Sequence, residues 1–171
     1  VIDGTPKTIT LGSSVAAASI TIGADDTFSG GGPYTATISG TWINNNIFTA
    51  QSSLIDFAST SANIIVDAGV SSFFNLRSSA TGSLISFVQP GLDITNDFII
   101  ATGTVTMPTA TTTVGGSFVN SGGTFMHNNG IVDMSGSAAE TITQNGTTFT
   151  NAFYDLHFTG SGSWSFTDSS A

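Results

Sequence analysis

The side chains able to move a proton or hold a metal are few: ten aspartates, Glu140, His127 and His157, with Lys7 and Arg77 as the only basic residues. There is no cysteine, which removes disulfides, thiolate nucleophiles and sulfur-ligated metals together. A zinc or nucleophilic site needs several nitrogen or carboxylate groups held close. His157 lies between Leu156 and Phe158, where strand alternation points it outward, and both histidines read as surface residues.

Two local stretches gather oxygen ligands, Asp25-Asp26 and Asp93-Ile94-Thr95-Asn96-Asp97. Calcium takes six to eight oxygens from carboxylates and carbonyls, so Asp25, Asp26, Asp93 and Asp97 are the candidate Ca²⁺ ligands. The competing explanation is that aspartate in turns bonds its own backbone, and neither stretch has the spacing of a calcium loop. Asp56 and Asp133 sit in matching contexts, Leu54-Ile55-Asp56-Phe57 and Ile131-Val132-Asp133-Met134, with alternation turning both carboxylates outward. Carboxylates several coils apart do not share a proton or a metal, so a solvated acidic face is expected. No catalytic set and no bound cofactor follow from these residues. Polysaccharide cleavage on a β-helix, the weaker enzymatic alternative, calls for clustered carboxylates with basic partners, which two basic residues do not readily supply.

The aromatic set is 13 Phe with Trp42, Trp164 and two Tyr. Most of it belongs to a core, and Trp42 and Trp164 read as stacked interior rings. Phe73 and Phe153 each adjoin another aromatic, Phe74 and Tyr154, and strand neighbours face opposite ways. Phe73 and Phe153 are therefore the expected surface-contact residues. Outward threonines such as Thr8, Thr10, Thr104, Thr106, Thr141 and Thr143 are too irregularly spaced for a flat ice-binding array, and threonine is in any case a good exposed strand residue. Asn145-Gly146-Thr147 is the sole N-glycosylation sequon.

These residues must be positioned by strands. Ser and Thr make up roughly 30% of the chain, and branched Thr favours the pleated backbone. Only 8% of residues are charged, against about 25% in ordinary domains, so hydroxyls and amides form the polar surface. The net charge of -9 repels phosphate backbones and argues against nucleic-acid binding. No apolar run approaches the ~20 residues of a membrane-spanning helix. Val1-Ile2-Asp3-Gly4 does not open a signal peptide, so a mature or excerpted chain is expected.

Apolar residues alternate with hydroxyls in Thr8-Ile9-Thr10-Leu11, Ser19-Ile20-Thr21-Ile22, Thr104-Val105-Thr106-Met107 and Ser163-Trp164-Ser165-Phe166. Gly- and Asn-rich turns separate these runs, among them Gly30-Gly31-Gly32-Pro33 and Asn128-Asn129-Gly130. Strand-like runs recur about three per coil of roughly two dozen residues, which predicts an all-β, right-handed parallel β-helix of about seven rungs and triangular section. Tandem β-sandwiches are the alternative. A longer self-similarity pairs Gly40-Thr41-Trp42-Ile43-Asn44 with Gly116-Ser117-Phe118-Val119-Asn120, and Phe73-Phe74-Asn75-Leu76 with Phe153-Tyr154-Asp155-Leu156. Read this way, residues 1–171 are one continuous solenoid holding about two units with a repeat of roughly 76 to 80 residues, approximately 37–112 and 113–171, the second stopping partway, after a partial unit 1–36. With no capping segment at either end, end-to-end self-association or a longer stack is expected.

The stretch Gly115-Gly116-Ser117-Phe118-Val119-Asn120-Ser121-Gly122-Gly123-Thr124-Phe125, with Ile131-Val132-Asp133-Met134, Ser137-Ala138-Ala139-Glu140-Thr141-Ile142 and Phe153-Tyr154-Asp155-Leu156, resembles the β-strand repeats of large bacterial surface proteins, the filamentous-haemagglutinin and autotransporter-passenger type. That resemblance implies a parallel β-helix, an extracellular or cell-surface location, and display or adhesion in place of catalysis. A structural or adhesive rod that assembles end to end into a filament is the expected function. A carbohydrate-binding module on the same scaffold, with surface glycans as partners, is the alternative.

Overall fold

A computed structural model describes residues 5–60, 63–146 and 151–168. The first four residues and Thr147 of the sequon lie outside them. Strands account for the regular structure. The first three coils carry β1 (Thr8–Thr10), β2 (Val15–Ala17), β3 (Ile20–Ile22), β4 (Thr27–Ser29), β5 (Thr35–Ile38), β6 (Trp42–Asn44), β7 (Ile47–Thr49), β8 (Leu54–Phe57) and β9 (Ile64–Asp67). The middle coils carry β10 (Asn75–Phe87), β11 (Leu92–Ile94), β12 (Phe98–Thr106), β13 (Thr111–Val114), β14 (Phe118–Asn120) and β15 (Thr124–Met126). The last carry β16 (Ile131–Met134), β17 (Ala139–Gln144), β18 (Asp155–Phe158) and β19 (Ser163–Asp168).

Every strand pair is parallel, and each strand pairs with the one a single coil away. The chain is thus an all-β solenoid of about seven turns, as the alternation predicts, and antiparallel sandwiches are ruled out. The reason is local: runs of three to six residues with period two bury one face each, and Gly- or Asn-rich turns swing the chain to the next face. At a strand spacing of about 4.8 Å, seven turns rise roughly 35 Å.

Inward side chains stack into columns. One runs Ile9, Phe28, Phe48, then Phe73, Ile94, Val114, Met134 and Phe158. A second runs Val15, Ala36, Ile55, Leu76, Phe98, Phe118, Ile142 and Phe166. The third face carries Ile20, Trp42 and Val66, with Ile64, Ile85, Val105 and Phe125 alongside. Two aromatic clusters fill the interior. Trp42 meets Phe28, Phe48 and Phe73 at centroid distances of 4.9 to 6.0 Å. Phe118 meets Phe98, Phe125 and Phe153 at 5.0 to 5.5 Å.

The corners differ along the axis. In coils four to six the first two columns are only three or four residues apart (Phe73 to Leu76, Ile94 to Phe98, Val114 to Phe118), whereas the other coils use six to eight. The middle coils instead turn the opposite corner within long strands: β10 bends at Gly82 (φ 74°) and β12 at Gly103 (φ 86°). A Cβ at Gly103 would strike the Ala80 carbonyl oxygen of the coil before, so this bend requires glycine on both steric and φ grounds.

The ladder corrects one alignment. Trp42 and Phe118 are both fully buried, but they lie on different faces, Trp42 between Ile20 and Val66 and Phe118 between Phe98 and Ile142. Asp56 and Asp133 are likewise on different faces, in β8 and β16. The structural period is a coil of nineteen to twenty-five residues. All three faces want the same inward residue types, so sequence similarity matched one face to its neighbour.

Candidate functional site

With most apolar side chains turned in, the outer ladders are where candidate sites are to be found. On the second face the outward row Thr37, Asp56, Arg77, Ile99 and Val119 crosses successive coils. Asp56 points out of the barrel, yet it is only 4% exposed, because Arg77 of the next coil covers it. Arg77 Nη2 donates to Asp56 Oδ2 at 2.6 Å and Ser79 Oγ donates to Asp56 Oδ1 at 2.7 Å. The bond to Asp56 holds the Arg77 guanidinium above its ordinary pKa, against the opposing effect of partial burial. This lock joins two coils and leaves no free carboxylate for acid–base chemistry.

At the corner before that face, polar side chains form a second ladder. Asn75 Oδ1 accepts from Asn96 Nδ2 (2.8 Å) and from the Asp97 N–H (3.1 Å). Asp97 Oδ1 accepts from the Ser117 N–H at 2.9 Å, and Ser117 Oγ donates to Glu140 Oε2 at 2.7 Å. Four coils are thereby tied at one corner, side chain to side chain and side chain to backbone, where turns would otherwise leave backbone donors unmet.

The calcium candidates fall into this pattern. Asp26 is buried; its Oδ1 accepts from the Lys7 N–H (3.1 Å) and its carbonyl from Asn46 Nδ2 (2.8 Å), while Asp25 lies exposed in the same turn. Asp93 and Asp97 separate: Asp97 faces the corner ladder, and Asp93 joins the outward row Asp93, Thr113, Asp133, His157 on the first face. Its carboxyl reaches solvent from a shallow recess beside Val70 and Thr113, and partial desolvation there pushes it above the usual aspartate range. Two coils separate Asp93 from Asp133, about 10 Å. Asp133 accepts from Thr159 Oγ1 (2.9 Å), and His157 Nε2 lies 3.2 Å from Asp155 Oδ2 with both side chains half exposed. Among the described residues no three His, Asp or Glu side chains converge as metal ligands.

Neither Phe73 nor Phe153, the contact residues expected from the sequence, is an exposed ring. Phe73 is fully buried, stacked between Phe48 and Ile94, because the three-residue corner leaves it no room to turn outward. Phe153 packs on Phe118 and Phe125. Its neighbour Tyr154 is the exposed ring, at 63%, stacked on His127 of the preceding coil at 5.4 Å. A cleft of about 420 Å³ opens beside Tyr154 between Gln144, Phe153, Asp155 and Leu156.

At the first coil Ile9 and Val15 are 47% and 38% exposed, and a cavity of about 350 Å³ opens against Ile9, Ile20, Ile22 and Phe28. At the last coil Phe158 and Phe166 are 45% and 59% exposed, and Phe158 meets Trp164 at 5.0 Å and Phe166 at 6.2 Å. Among the described residues no helix is long and apolar enough to cross a membrane. No family model, curated protein or solved structure matches the chain, so its solenoid architecture rests on its own strand register.

Proposed function

We propose that the chain is a structural or adhesive element of an extracellular surface: a stiff β rod that displays hydroxyl-rich sheets and associates end to end. The observation that carries this reading is the set of inward columns, unbroken from coil to coil. Each buried Ile, Leu, Val or Phe contributes about 1.5–3 kcal/mol relative to exposure, so cohesion is spread along the axis. Side-chain ladders at the corners add cross-links between coils, and the outer faces present Thr, Ser and Asn with little charge. Stiffness and display need nothing more. Immunolabelling of intact producing cells, with electron microscopy of the purified chain, tests the reading. Surface labelling and rods of constant width support it; a strictly internal pool or compact globular particles contradict it.

Tyr154 supports a second reading, a carbohydrate-binding surface. An exposed aromatic face beside a cleft with an amide and a carboxylate, Gln144 and Asp155, is the combination that stacks on a sugar ring and meets its hydroxyls. A glycan array with a saturable signal that Tyr154→Ala removes would establish it, and a uniformly blank array would leave the structural reading alone.

A further inference from the structure

We propose that Asn129 is a self-modifying site, where the folded chain converts the side-chain amide to aspartate and isoaspartate through a succinimide formed with Gly130. Asn-Gly occurs twice in the sequence, at Asn129-Gly130 and Asn145-Gly146. A glycine after asparagine has no side chain to shield its nitrogen, so both pairs carry the same intrinsic reactivity. The fold separates them. The turn His127-Asn128-Asn129-Gly130 joins β15 to β16 and is closed by the Gly130 N–H, which donates to the His127 carbonyl at 2.9 Å. Asn128 and Asn129 hold φ of 50° and 60°, the left-handed pair of a type I′ turn, and opening the turn relieves the strain of that conformation. Both residues are exposed. Asn128 Nδ2 is held by the Met107 carbonyl at 3.0 Å, whereas the Asn129 side-chain amide makes no hydrogen bond among the described residues.

Asn145 is engaged at its amide, its carbonyl and the following nitrogen. Its Nδ2 donates to the Gly123 carbonyl at 3.2 Å, its own carbonyl accepts from Asn151 Nδ2 at 2.7 Å, and the Gly146 N–H donates to Asp168 Oδ1 at 3.1 Å. Ring closure there requires the amide and the glycine nitrogen both to leave their partners, while at Asn129 only the Gly130 nitrogen must leave. In the reaction the Gly130 nitrogen attacks Asn129 Cγ and loses its proton, the bond from Cγ to the amide nitrogen breaks, and ammonia departs. Water then opens the ring. Attack at Cγ gives aspartate, and attack at the main-chain carbonyl carbon gives isoaspartate, with one extra methylene in the backbone. This corner has no slack for that methylene, because Gly130 sits against the carbonyls of Pro108 and Ala110 in the coil before, where even a Cβ would collide. The modification therefore loosens the corner between β15 and β16 from the preceding coil.

Incubation of the folded chain at neutral pH in heavy-oxygen water, followed by acid quench and peptic mapping, reads the site directly. Label should enter at Asn129 at least about tenfold faster than at Asn145, equivalent to about 1.4 kcal/mol of extra holding at the second pair, and the two rates should converge in urea. Asn129→Gly, which keeps the left-handed turn, should remove the label from its peptide. The aged chain should also melt below the Asn129→Asp variant, which has the new charge without the methylene. Comparable rates at the two pairs in the folded chain, a gap that survives in urea, or label that persists in Asn129→Gly overturns the site. Equal melting of the aged chain and Asn129→Asp overturns the loosening.

Discussion

The middle coils and the end coils are built from the same residue types on the same period, yet they differ in what covers them. Leu76, Phe98 and Phe118 are 1% exposed because a coil lies on either side, whereas Phe166 in the same column is 59% exposed. Burial in a solenoid is thus a property of neighbouring coils as much as of the residue. The middle coils carry the long bent strands β10 and β12 and the Asp56–Arg77 lock. The first and last described coils carry exposed aromatic or aliphatic groups in the same columns.

Large-to-small changes sharpen this contrast most. Trp42→Ala or Phe118→Ala should destabilise the chain by about 3–5 kcal/mol in urea unfolding, while Phe166→Ala, in the same kind of column but at the end, should cost less than about 1 kcal/mol in the dispersed chain. Next come the bends. Gly82 and Gly103 both hold positive φ, but only Gly103 faces backbone where a Cβ would sit. Gly82→Ala should cost about 1–2 kcal/mol for the backbone conformation alone, and Gly103→Ala should cost more. Equal losses would mean the bend is set by φ without the close approach of the preceding coil.

The lock between coils ranks third. Arg77→Met leaves the buried Asp56 carboxylate with Ser79 as its remaining charge-stabilising partner, an expected loss of about 1–3 kcal/mol, partly restored by adding Asp56→Asn. Asp93 gives a smaller, pH-dependent effect. Its folded pKa is raised, so the protonated form favours the fold; that contribution is complete below the unfolded value of about 3.9 and is lost as pH rises through the folded value. Asp93→Asn should therefore raise stability at neutral pH by less than about 0.5 kcal/mol, with the advantage vanishing in acid. The smallest expected effect is that of calcium: because Asp26 and Asp97 are engaged in hydrogen bonds to the neighbouring coil, millimolar Ca²⁺ should leave the melting temperature unchanged.

The strands, the parallel stacking and the absence of convincing helix were legible because period-two alternation and Gly/Asn turns are local signals. Ile55, Phe57, Val132 and Met134 point inward as that alternation requires. The face on which a strand sits was not legible. Trp42 and Phe118 share a local context, and only corner lengths, which vary from three to eight residues, decide where each ring falls. The burial of Asp56 depends on Arg77, which is 21 positions away and one coil removed. A signal existed in that pairing, since Arg77 is one of two basic residues and needs a partner near an outward carboxylate. Phe73 and Phe153 were singled out by adjacency to a second aromatic, which marks a corner correctly but does not say which ring turns out.

Site-resolved amide exchange tests most directly that columns continuous from coil to coil hold this molecule together. Protection should be greatest in β10, β12 and β14, which have a paired coil on either side, and least in β1, β2, β3, β18 and β19, which pair on one side only among the described residues. Uniform protection along the chain, or protection lowest in the middle coils, would contradict it.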